Sequence, residues 1–90
     1  MTELFRVMGY SVFFSSQDMH HGVHVHVGKG RKRDLGKFIL TKDGHAWLAH
    51  NRGELSEYEI LKIQDAVEGR YEKIVYRWSR QFGDDYHFDK

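Results

Sequence analysis

Between Ile60 and Phe82 the apolar residues Ile60, Ile63, Val67, Tyr71, Ile74, Trp78 and Phe82 recur at steps of three and four, the period that gathers side chains on one face of an α-helix. Nothing else in the chain constrains its fold as tightly. The start of this helix is marked as well. Ser56 can cap the first turn, Glu59 can reach back to it, and Leu55 stands to Ile60 as a hydrophobic staple. Gly83 supplies the stop. Glu57 and Glu59 at the beginning and Arg77 and Arg80 near the end suit the macrodipole. The pattern predicts one long helix over about 57–82, with Gly69 as its weak point. Glycine there costs about 1 kcal/mol against alanine, and it lies off the stripe, where it is tolerated on the wet side or marks a bend. A stripe of this composition belongs to a core, so the chain must also supply a surface for it to cover.

That surface is written in Met19 to Val27, MHHGVHVHV. A strand sends successive side chains to opposite faces, so Val23, Val25 and Val27 line one face while His24 and His26 share the other. Upstream, Leu4 to Met8 and Tyr10 to Ser15 read as a hairpin turning at Gly9, with Tyr10, Val12 and Phe14 on one face and Ser11 and Phe13 on the other. Downstream, LGKFIL (Leu35 to Leu40) and His45 to His50 are joined by Lys42-Asp43-Gly44, which carries the Asp-Gly signal of a two-residue turn. The expected fold class is therefore α+β: an antiparallel β-meander of four to five strands over about 4–50, with one long C-terminal helix packed on one face. The short acidic tail 83–90 holds Asp84, Asp85 and Asp89 and is expected to fray unless Tyr86 and Phe88 pin it. Ninety residues make this one domain, burying about 60–65% of the unfolded surface.

Composition narrows the function classes. There are no cysteines, which excludes disulfides and thiolate metal sites. A net charge of +1 demands no nucleic-acid partner by itself. No apolar run approaches the roughly 20 residues of a membrane span, and MTELFRV lacks the features of a signal peptide. The expectation is a cytoplasmic protein with no membrane contact.

His24 and His26 are the candidate catalytic residues. An imidazole with a pKa near 6.5 suits proton removal from a 2′-hydroxyl and proton delivery to a leaving oxygen. The loop after them, GKGRKRD, carries Lys29, Arg31, Lys32 and Arg33. It reads either as a solvated hairpin end or as a nucleic-acid-binding lip that neutralises phosphate. Its glycines are not followed by a helix, which argues against dinucleotide or ATP chemistry, and no cofactor is expected. A metal held by two histidines needs at least a third ligand, for which His20 or His50 would have to approach, so no metal ligand is assigned. The face with Ser11, Phe13 and the histidine pair is expected to lie open, which predicts self-association or a protein partner.

GYSVFFSSQDMHHGVHVHV, GKFIL, WLAHNRGELSEYEILKI and the final WSRQF together resemble a family of small bacterial proteins of unknown function. Its members read Gly-Tyr, a Phe run, HxPPHVHV, a KFWL-like strand and a helix ending in Trp then Phe. The likeness covers about residues 6–82. His20, His24 and His26 fall on the family histidines, and Gly9, Tyr10, Phe14, Lys37, Phe38, Leu40, Trp78 and Phe82 on its other landmarks. Gly22-Val23 departs from the usual Pro-Pro and replaces a stiff lead-in with a flexible one. The resemblance implies a component of a two-gene, toxin–antitoxin-like module of bacteria or mobile elements, acting through the neighbouring-gene protein. It implies no demonstrated activity.

Overall fold

Each apolar run of the first half becomes a strand, and each strand pairs with the next. The computed structural model describes residues 2–15 and 21–90, in the order β1 (Thr2–Val7), β2 (Tyr10–Phe14), β3 (His24–Lys29), β4 (Lys32–Leu40), β5 (Ala46–His50), α1 (Glu57–Gly69) and α2 (Tyr71–Phe82). The five strands form one antiparallel sheet in sequence order. The chain is thus the expected α+β meander with its helices at the C-terminal end.

Two of the turns follow from local chemistry. Val7 faces Tyr10 across Met8 and Gly9, both at positive φ (53° and 81°), as the hairpin turn matching strand twist requires. Lys29 faces Lys32 across Gly30 and Arg31, with Gly30 at φ 61°. The basic stretch is therefore the tip of a hairpin whose strands continue through it, and β4 begins at Lys32 where only Leu35 was expected. The third turn departs from expectation. Leu40 pairs with Ala46, so residues 41–45 form a five-residue loop in place of the two-residue Asp-Gly turn. Thr41 organises it: its N–H donates to the His45 carbonyl at 2.8 Å, its Oγ1 accepts from the His45 N–H at 3.0 Å, and its carbonyl accepts from the Tyr71 hydroxyl. The Tyr71 hydroxyl ties this loop to α2.

The sheet face carrying Val12, Phe14, Val23, Val25, Val27, Phe38 and Leu40 packs against Ile63, Val67, Ile74 and Trp78, all essentially inaccessible to solvent. Phe14, Trp78 and Phe82 meet as an aromatic cluster, with Trp78 5.1 Å from Phe14 and 4.6 Å from Phe82 between ring centroids. The capping box at Ser56 forms as read: the Ser56 hydroxyl accepts from the Glu59 N–H and Glu59 accepts from the Ser56 N–H. Glu59 also accepts from the Tyr10 hydroxyl at 2.6 Å, which ties the helix start to β2.

The helical stripe is divided between two helices. Arg70 leaves helical geometry (φ −115°, ψ 18°), its N–H bonds to the Val67 carbonyl, and its own carbonyl receives the first bond of α2 from Ile74. Gly69 marks the site of lowest helix propensity just before this break. An uninterrupted helix over 57–82 would be about 39 Å long at 1.5 Å per residue; divided in two, it lies within a molecule whose longest extent is 34 Å.

The acidic tail does not fray. The Val23 N–H donates to the His87 carbonyl at 3.0 Å, the Gly22 N–H donates to Asp89 Oδ2 at 3.1 Å, Phe88 stacks on Tyr71, and Lys90 Nζ lies 4.3 Å from the Trp47 ring centroid. Gly22 is what admits it, since a Cβ there would fall 2.6 Å from Asp89 Cγ and 2.8 Å from its backbone nitrogen. No helix of the described residues is long and apolar enough to cross a membrane.

Candidate functional site

The register of β3 settles the question posed by its alternation. Val25 faces Phe38 and is fully buried in the core, while His26 stands in a cross-strand row with Phe13 of β2, Lys37 of β4 and His50 of β5. His24 and His26 therefore share the face away from the helices, and their Nε2 atoms lie 3.2 Å apart. That face is less open than the sequence suggests. His24 is only 2% exposed, with its ring 5.3 Å from that of Trp78, and Phe13 is 6% exposed, stacked on His26. The recorded β2–β3 pairing runs from Ser11 to Phe13, so Trp78 touches both Phe14 and His24 beyond the end of that ladder. His24 is thus corrected from a solvent-facing candidate to a buried one.

Two irregularities of pairing then build the rest of the cluster. Between the Val27–Gly36 and Lys29–Lys32 pairs the register slips, and Asp34 falls in the extra stretch of β4. Between Lys37–His50 and Phe38–Leu48 a single extra residue, Ala49, is inserted in β5. Unbroken alternation from Ala46 and Leu48 would send His50 to the core face; the bulge turns it to the outer one. Gly28 makes the first irregularity possible, because a Cβ there would lie 2.7 Å from the Lys32 carbonyl oxygen.

The outcome is a hydrogen-bonded chain across three strands. The Gly22 carbonyl lies 2.8 Å from His24 Nδ1, His24 Nε2 lies 3.2 Å from His26 Nε2, and His26 Nδ1 lies 3.4 Å from Asp34 Oδ1. The same Asp34 oxygen is 3.1 Å from His50 Nε2, and the other accepts from Arg52 Nη1 at 2.9 Å. The Gly53 N–H donates to the Leu35 carbonyl, which holds Arg52 beside β4. Proton counting shows what this can do. A carbonyl and a carboxylate are acceptors only, so three contacts in series through two rings need three N–H hydrogens. Two neutral imidazoles bring two, so a neutral pair leaves one of the three contacts without a hydrogen. Burial pushes the Asp34 carboxyl up, but the charge of His50, the hydrogen bond and charge of His26, and Arg52 together outweigh it and hold the group below its ordinary value.

Of the basic candidates, Lys29, Arg31, Lys32 and Arg33 are all exposed on the β3–β4 hairpin. Lys29 Nζ sits 5.0 Å from the Tyr10 ring centroid, and a groove of about 400 Å³ beside Lys29, Arg31 and Lys32 is walled by Tyr10, Leu35 and Leu55. A shallow hollow of about 50 Å³ lies between Phe13, Gly28, Lys32 and Arg33, on the histidine side. Sequence reasoning missed Asp34 and Arg52 and considered His50 only as a metal ligand. Gly28 inside a strand was the one available signal for the irregularity that recruits Asp34. Among the described residues no group of three or more His, Asp or Glu side chains is placed to hold a metal ion; His20 lies outside the described residues. No family model, no curated protein and no solved structure matches this chain.

Proposed function

We propose that this chain is a small cytoplasmic component of a bacterial or mobile-element two-gene module of the toxin–antitoxin kind, acting by binding the neighbouring-gene protein and not by catalysis of its own. One observation carries the choice of binding over chemistry. The ring nitrogens of His24 and His26, and Nε2 of His50, already face acceptors or donors within the chain, so the cluster shapes and stiffens a surface and presents no imidazole that awaits a substrate. The resemblance of the β3 motif and the Trp-to-Phe helix end to module-encoded proteins supports the class of partner.

RNA cleavage is the second reading. It is favoured by Asp34 Oδ1 joining two imidazoles, those of His26 and His50, next to a hairpin of exposed cations. A base and an acid held on one carboxylate form a workable pair for phosphodiester chemistry once substrate displaces the internal bonds. Expression of the chain alone, and together with the adjacent open reading frame, separates the two. The binding reading expects no growth arrest from the chain alone and a stable complex of defined stoichiometry with the neighbour's product by light scattering. Growth arrest that disappears in a His26→Ala/His50→Ala variant with an intact fold would overturn it in favour of cleavage. A homo-oligomer with no affinity for the neighbour and no growth arrest when expressed alone would overturn both.

A further inference from the structure

Among the described residues β1 is an edge strand, paired with β2 alone and with one irregularity of register between Glu3 and Phe5, and its Leu4 and Phe5 line a groove of about 320 Å³ shared with α2. Leu4, Phe5 and Ile74 form the apolar floor, and Tyr76, 60% exposed, forms one wall. The rim is cationic. Lys73, Arg77 and Arg80 follow one another along α2 at steps of four and three, which puts them on one face of the helix, and Arg70 at its N-cap lines the groove with Lys73 and Arg77. Arg70 is committed: it lies 4.5 Å over the Phe5 ring and donates to the Ala66 carbonyl. Lys73, Arg77 and Arg80 have no carboxylate within ion-pair distance among the described residues. The nearby acid of β1, Glu3, is taken by Arg6 and Ser11.

An edge strand beside an apolar groove is a template for an added strand, in which main-chain bonds give affinity and alternate side chains fill pockets. Unmatched cations along the rim select the charge of what is added. We infer that the β1–α2 groove binds an extended, acidic segment of a partner polypeptide, laid antiparallel or parallel to β1 with apolar side chains on Phe5 and Ile74 and carboxylates against Lys73 and Arg77. This rests on the binding role proposed above and adds to the histidine face a second surface for it. The charge argument excludes a basic occupant. An RNA strand would find the cations but would leave the strand edge and the apolar floor unused.

The test uses the full chain and a fluorescent octapeptide alternating glutamate with isoleucine, blocked at both ends, against the same peptide with lysine for glutamate and against an oligouridine. Saturable binding of the acidic peptide is expected, weakened roughly tenfold or more by Lys73→Glu/Arg77→Glu, exposed changes that leave the core untouched. Amide shifts should concentrate in Thr2–Val7 and Tyr71–Phe82. Equal binding of the lysine peptide, stronger binding of the oligouridine at the same cations, or acidic-peptide shifts confined to the β3–β4 hairpin would each overturn the proposal. A concentration-dependent dimer abolished by the double reversal would overturn it too, by making a second copy the occupant. The two proposals fail separately. A complex with the neighbouring-gene protein that ignores Lys73→Glu/Arg77→Glu removes the groove and leaves the module role, whereas peptide binding without any such complex does the reverse.

Discussion

The two faces of β3 are built by different means. On the inner face, Val23, Val25 and Val27 follow the period of the strand without exception and are fully buried. On the outer face, His24 and His26 follow the same period, but their partners Asp34 and His50 arrive only through irregular pairing on either side of β4. A regular ladder makes a core; interruptions of the ladder make a cluster of chemically diverse groups. The comparison teaches where such a chain places polar function: at the points where period-2 logic is suspended.

The strongest way to break the comparison is to remove the residue that touches both faces. Trp78 packs on Phe14 of the core and on His24 of the cluster. Trp78→Ala should cost about 3–5 kcal/mol by urea denaturation, and the His24 ring resonances should shift in whatever folded fraction remains. If His24 were unaffected, the two faces would be energetically separate.

His24→Ala comes next, at about 2–3 kcal/mol, because it opens a buried space and strands the Gly22 carbonyl. A change below about 0.5 kcal/mol would mean that His24 behaves as a surface residue. Gly28→Ala is the sharper test of the outer face. The added Cβ would meet the Lys32 carbonyl at 2.7 Å and the Arg33 Cα at 3.2 Å, so about 1–2 kcal/mol is expected for the forced backbone shift. Asp34 should withdraw from His26 and His50 while the valine face keeps its amide protection against hydrogen exchange.

The smallest effect is electrostatic. Asp34 has a folded-state pKa below its ordinary value of 3.8, so it contributes stability that is present above the unfolded pKa and lost as pH falls below about 4 toward the folded pKa. Its side chain is 44% exposed, which limits the gain to that of a screened surface network. Asp34→Asn should therefore flatten the acid limb of the stability–pH profile below pH 4 and change the melting temperature at neutral pH only slightly. An unchanged acid limb would show that the carboxylate is not held by its three cationic neighbours.

Sequence legibility divides along the same line. The capping box at Ser56 and Glu59, the turn at Met8-Gly9 and the helix stop at Gly83 depend on residues within a few positions of one another, and each forms as the sequence predicts. The Asp-Gly turn signal at Asp43 was equally local, yet residues 41–45 form a longer loop, closed by Thr41 and His45 and tied to α2 by Tyr71. Gly69 announced a weak point in the helix, and the break itself falls at the next residue, Arg70, whose backbone leaves helical geometry.

By itself the sequence determined which faces are apolar, and with them the meander, the helical cover and the placing of His24 and His26 on one side. Those features rest on short-range periodicity, and a one-residue slip in any strand would expose a whole row of valines or phenylalanines. Only the tertiary structure decided that Asp34, His50 and Arg52 join the histidines, that Trp78 buries one of them, and that the acidic tail closes over Gly22 and Val23. Bulges and tail docking depend on what lies across the sheet, at sequence separations where no local pattern records the partner.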